Sequence, residues 1–124
     1  MAFARFLHKM YNYTSLDLSA IEYLEILPAD QLPDGERIFI EVAGRSLVIF
    51  NLAGKLFAIG DVCSHDGGPV GDGEIEEYEI ICPRHGARFD IRTGQASSLP
   101  AVVDIPCYPV RVSDGMIEIG IPKE

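Results

Sequence analysis

Four side chains in the middle of this 124-residue chain form a set that can bind metal: Cys63 and His65, then Cys82 and His85. They use four of the six cysteine and histidine residues present. Thiolate and imidazole are the ligands that soft and borderline transition metals select. A structural zinc uses the same two ligand types in tetrahedral sites. Zinc ligands usually come paired by type, however, cysteine with cysteine and histidine with histidine, whereas each half here mixes the two as C-x-H and C-x-x-H. A lone cysteine or histidine is most often an ordinary buried side chain. Two complete motifs on glycine- and proline-bearing loops argue against that reading.

The residues around the four sharpen the pattern. Cys63-Ser64-His65-Asp66-Gly67-Gly68-Pro69-Val70 resembles the first cluster loop of bacterial Rieske ferredoxins. Cys82-Pro83-Arg84-His85-Gly86-Ala87-Arg88-Phe89-Asp90 resembles the second, and Arg92-Thr93-Gly94 continues the likeness, which extends from about Tyr23 to Ile121. The resemblance implies one 2Fe-2S cluster with Cys63, His65, Cys82 and His85 as its ligands. Each motif then gives its cysteine to one iron and its histidine to the other. With two neutral imidazoles the oxidised cluster sums to zero charge and the reduced one to a single negative charge, so reduction is easier than in a four-cysteine cluster.

Two departures set this chain apart from the high-potential branch, the Rieske proteins of cytochrome bc complexes. That branch resembles this chain but carries an extra cysteine in each loop, and the two form a disulfide. Gly68 and Arg84 stand at those places here. The branch also has a serine and a tyrosine whose hydroxyls bond to sulfur, where this chain has Ala87 and Phe89. The first departure rules out such a bridge, and the missing hydroxyl donors imply a potential at the low end of the Rieske range.

By that resemblance the protein is expected to be a soluble one-electron carrier, similar to the ferredoxin component of bacterial ring-hydroxylating dioxygenase systems. Its implied partners are a flavin-dependent ferredoxin reductase and a terminal non-haem iron oxygenase. It is not expected to be an enzyme itself: there is no Ser-His-Asp set and no phosphate loop, and the one spare histidine, His8, does not suffice for a mononuclear-iron facial triad. Two alternatives stand beside this reading. One is the small Rieske-like subunit of an assimilatory nitrite reductase; the other, from a different class, is a zinc-stabilised interaction module.

Composition bounds the remainder. The length suits one domain with one core. Phe6-Leu7 is followed at once by His8 and Lys9, which is not the apolar stretch of a signal peptide, and no apolar run is long enough to span a membrane. A net charge of -9 disfavours nucleic acid, whose phosphates need clustered Lys and Arg. With two cysteines used as ligands, Cys107 has no partner for an intramolecular disulfide, which fits a reducing cytoplasm. A monomer is expected.

The elements that must position the four ligands read as all-β. Arg37 to Val42 alternates, Ala43-Gly44-Arg45 turns the chain into an apolar run from Leu47 to Leu52, and Ala53-Gly54-Lys55 turns it again into Leu56 to Gly60. Val110 to Val112 and Met116 to Ile121 flank Ser113-Asp114-Gly115, where Asp-Gly is a hairpin signal. The acidic run Asp72, Glu74, Glu76, Glu77 and Glu79 is most simply a solvated hairpin edge. Short strands at this spacing predict an antiparallel β-sandwich or barrel base, and the resemblance implies that it carries a two-loop cluster-binding subdomain. By the resemblance to Rieske ferredoxins, Ser98-Leu99-Pro100 is expected to form the third, proline-bearing loop that covers the cluster. Residues 21–124 form this domain, and residues 1–20 form an N-terminal tail in which Phe3, Phe6, Leu7 and Met10 have the spacing of one apolar face of a short helix.

Overall fold

Two-residue turns set the register of the base. In the computed structural model, which describes residues 20–99, 101 and 103–123, strands β2 (Arg37–Val42), β3 (Arg45–Leu52) and β4 (Lys55–Gly60) form consecutive hairpins. Ala43-Gly44 and Ala53-Gly54 connect them, all four residues at positive φ, the backbone whose twist matches that of the flanking strands. Asp114-Gly115 joins β10 (Val110–Ser113) to β11 (Met116–Pro122) in the same way. Each of these strands contains the run expected for it.

The first strand was not visible in the sequence. β1 (Ile21–Pro28) pairs antiparallel with β11, from Ile21 opposite Pro122 to Pro28 opposite Met116. A shift in register between Glu25 and Leu27 breaks its alternation, so apolar residues fall at positions that no simple period of two predicts. Of the expected tail only Ala20 is described, and its carbonyl accepts a hydrogen bond from the Lys123 N–H at 2.8 Å, beyond the end of the β1–β11 ladder. The helical face expected from Phe3 to Met10 lies outside the described residues.

The strands form three antiparallel sheets. The first has the order β1-β11-β10, and the second β2-β3-β4-β9, where β9 is Cys107–Tyr108. The third has the order β5-β6-β7-β8, built from the three-residue strands Glu74–Glu76, Glu79–Ile81, Arg88–Asp90 and Ala96–Ser98. A core of Leu32, Leu47, Ile49, Ala58, Tyr108, Ile117, Ile119 and Ile121 packs the first sheet on the second. A second core, with Val48, Phe50, Ile59, Ile80, Phe89 and Ile91, packs the second sheet against the third. β3 therefore buries both faces, which is why Leu47 to Phe50 is uniformly apolar rather than alternating.

The two long connections of the third sheet lie next to each other. Residues 61–73 link β4 to β5, and residues 82–87 link β6 to β7. The acidic run falls on the β5–β6 hairpin as expected, with Glu74, Glu76 and Glu77 exposed. Arg88 crosses to Glu76 at 2.8 Å and Glu79 at 3.2 Å. Ser98 ends β8 and Leu99 is 76% exposed; Pro100 lies outside the described residues.

Candidate metal centre

Both loops are built on one plan. The Cys63 N–H donates to the Gly68 carbonyl at 2.7 Å, and the Cys82 N–H donates to the Ala87 carbonyl at 2.7 Å. Each cysteine carbonyl accepts a bond in turn, from the Gly67 N–H at 2.6 Å and from the Gly86 N–H at 3.0 Å. Those two glycines have φ of 79° and 76°, a left-handed backbone that side-chain-bearing residues rarely adopt. Each loop is thus a tight turn that closes on its own cysteine and points the cysteine side chain inward.

The base grips the first loop at both of its ends. Asp61 Oδ1 accepts from the N–H groups of Val70 at 3.0 Å and Gly71 at 2.7 Å. Arg37, which stacks over Phe50 of β3, donates to the carbonyls of Gly71 and Gly73 at 2.7 and 2.8 Å. The Ser64 hydroxyl donates to the Val103 carbonyl, tying the outer side of the loop to the segment before β9. Neither Asp61 nor Arg37 was foreseen as part of the site. Nothing in their spacing marks them, because their partners are backbone atoms far along the chain.

The structure brings all four expected residues together in two layers. Cys63 and Cys82 are 0% and 1% exposed, both are free thiols, and their sulfurs lie within 4.8 Å of one another. His65 and His85 are exposed, His85 with 56% of its side chain accessible; their rings are 5.2 Å apart and nearly perpendicular. Burial pushes the Cys63 thiol above its ordinary value, and Cys82 adds to the rise, while the backbone N–H groups of Asp66 and His65 act against it. Binding a metal would overcome this by supplying the positive charge that a buried thiolate lacks. Those N–H groups act as amide donors to the Cys63 sulfur. Gly94 lies away from the sulfurs: it packs against the Ile105 carbonyl and accepts a bond from the Ile105 N–H at 2.8 Å.

Asp66 was quoted in the sequence motif but given no role. Its carboxylate lies within 4.8 Å of the ligand atoms of both the cysteine pair and the histidine pair. Two bonds from Arg84 and one from the Gly68 N–H occupy it, and they hold its carboxyl well below the usual carboxylate range. Asp66 follows His65 and Arg84 precedes His85, so charges of opposite sign beside the two histidines were the available signal. Cys107 is buried outside this group and donates to the Arg92 carbonyl at 3.2 Å. A buried thiol pair beneath an exposed imidazole pair fits a two-iron cluster, in which thiolates saturate the inner metal and neutral nitrogens complete the outer one.

Residues 22–109 match the Rieske [2Fe-2S] domain. The chain belongs to the Rieske family. The ferredoxin component of the naphthalene 1,2-dioxygenase/salicylate 5-hydroxylase systems of a Ralstonia species is 34% identical over 85 residues, covering 68% of this chain and 82% of that one. The ferredoxin subunit of 3-phenylpropionate/cinnamic acid dioxygenase from Escherichia coli K12 is 36% identical over 97 residues, 77% of this chain and 91% of that one. Among solved structures, the ferredoxin of carbazole 1,9a-dioxygenase from Nocardioides aromaticivorans IC177 superposes with a TM-score of 0.74 at 31% identity, covering 82% of this chain and 98% of that one. The Rieske chain therefore carries one [2Fe-2S] cluster and is an electron-transfer component rather than a catalyst. An iron-sulfur domain sets aside the zinc-stabilised module. No described helix is long and apolar enough to cross a membrane.

Proposed function

We propose that Cys63 and Cys82 bind the inner iron of the cluster and His65 and His85 the outer one, and that the protein carries single electrons from a flavin-dependent reductase to the terminal oxygenase of a ring-hydroxylating dioxygenase system. The observation that carries this reading is the layering of the site: both thiols are buried and both imidazoles are exposed. The cluster, when bound, supplies a one-electron couple near the surface. The chain does the rest. The cysteines neutralise the irons, the two loops exclude water from the inner side, and the histidines present the outer side to a partner. Asp61 and Arg37 fix the first loop to the sheet behind it, so its ligands keep their places through a change of charge.

The ferredoxin names of the relatives favour this role over that of a nitrite reductase subunit. That none of the three described cysteines is in a disulfide supports a reducing cytoplasm as the compartment. The test is an assay of iron and acid-labile sulfide on the purified protein, with EPR after dithionite reduction. About two irons and two sulfides per chain and a Rieske-type signal are expected. One zinc per chain without labile sulfide overturns the assignment.

A further inference from the structure

Each cluster loop closes on itself, and Cys63 and Cys82 are in no disulfide, so no covalent joint holds one loop to the other. A bidentate ion pair spans the gap instead. Arg84 of the second loop donates from Nε to Asp66 Oδ2 at 2.6 Å and from Nη2 to Asp66 Oδ1 at 2.9 Å. Asp66 is itself fixed within the first loop, because Oδ1 also accepts from the Gly68 N–H at 2.9 Å. Gly68 leaves the space that the guanidinium fills: a Cβ there would stand 2.8 Å from both Cζ and Nη2 of Arg84. The φ of Gly68 is not in the left-handed region, so it is this close approach rather than backbone strain that calls for glycine.

We propose that the Asp66–Arg84 pair is a clasp that keeps the two loops shut over the cluster and sets how long the cluster is retained. The proposal rests on the ligand assignment above. The geometry favours a clasp over an incidental surface pair for two reasons. Both nitrogens of the fork are used on one carboxylate, the arrangement in which Arg–carboxylate pairs are strongest and most directional. Each partner also sits one residue from an expected histidine ligand, so separating the pair lets the imidazoles move apart.

A clasp and a mere field effect predict different patterns in two measurements on the holoprotein: the half-life of visible absorbance in excess ferrous chelator, and the reduction potential by protein-film voltammetry. The potential should follow net charge. Asp66→Asn raises it, Arg84→Gln lowers it, and both the double variant and Arg84→Lys stay close to the wild type. Retention should follow the pair instead. Asp66→Asn, Arg84→Gln, the double variant and Arg84→Lys all lose colour faster, by roughly three- to tenfold, the effect expected of a partly exposed bidentate pair. Gly68→Ala keeps every ligand and charge but displaces the guanidinium, and it should also shorten the half-life. That variant and Arg84→Lys keep the test readable if Asp66→Asn does not load. Wild-type half-lives in Arg84→Lys and Gly68→Ala overturn the clasp, as does a double variant with restored retention, which would leave only a charge effect. A wild-type protein without iron and sulfide is a separate result, and it rejects the ligand assignment instead.

Discussion

Val48 and Ile49 are adjacent in β3 and line different cores. Val48 lies beneath the first cluster loop, where its Cγ1 would be 3.1 Å from a Cβ on Gly71. Ile49 faces the sheet that carries β1 and β11. Ile49→Ala should therefore cost about 2–5 kcal/mol of stability, the usual range for a fully buried isoleucine, with the visible spectrum unchanged. Val48→Ala removes less volume and should cost about 1–3 kcal/mol, and it should also shorten cluster retention. Chemical denaturation read beside absorbance separates the two. Equal effects of both variants on the spectrum would contradict the division of the cores.

Replacing the thiolates is the sharpest check on the ligands. Cys63→Ser and Cys82→Ser should each prevent stable cluster assembly, because a hydroxyl binds iron in these clusters far less well than a soft thiolate. Cys107→Ser should keep full colour, since Cys107 lies away from the loops and its bond to the Arg92 carbonyl is one a hydroxyl can also make. Absorbance per chain reports all three. Loss of colour in the Cys107 variant would mean a misassigned ligand.

The potential should lie toward the lower end of the Rieske range, which runs from about -150 to +300 mV. Ala87 and Phe89 are both fully buried beside the cysteines in the second core and give sulfur no hydroxyl donor. A donor favours the more negative reduced cluster. Ala87→Ser should therefore raise the potential by roughly 40–80 mV, the equivalent of one hydrogen bond of about 1–2 kcal/mol in a one-electron couple. Phe89→Tyr should raise it in the same direction and destabilise the fold, since its hydroxyl enters a packed core. A wild-type value near the top of the range would count against this reading whatever the variants did.

Acid sensitivity has an identifiable source after the second loop. Burial opposes ionisation of Asp90, but the Arg92 side chain and backbone N–H outweigh it and hold the carboxyl below its ordinary value. Arg92 reaches it with three donors, N at 2.8 Å, Nε at 3.1 Å and Nη2 at 2.9 Å. With the folded value depressed, the folded state binds fewer protons than the unfolded chain. The contribution is then fully present above the unfolded value of about 3.9 and is lost as pH falls through the folded one. Asp90→Asn should be less stable than the wild type by a constant amount from pH 7 to about 5, and the gap should close on further acidification. Urea titrations across that span measure it; a gap that widens in acid would have the wrong sign.

The base was legible because its turns carry their own signals. Ala-Gly twice and Asp-Gly once set three hairpins, and the strands between them hold the expected runs. β1 was not legible because the bulge near Ile26 shifts its pattern, and its partner lies at the other end of the chain. The strands of the third sheet were hidden by length, since three residues cannot show a period. At the site, Cys63, His65, Cys82 and His85 announced themselves by spacing. Asp66 and Arg84 were harder to see: an ion pair between two loops has no period of its own, and its one trace was a charge of opposite sign beside each histidine.

The backbone bonds that close each loop involve no metal and join residues only four or five positions apart. Closing so short a segment costs little chain entropy compared with pairing the far ends of the domain, as β1 and β11 do. Inserting iron and sulfide is then closer to filling a mould than to folding a chain, and the freedom surrendered at that step is mostly that of four side chains.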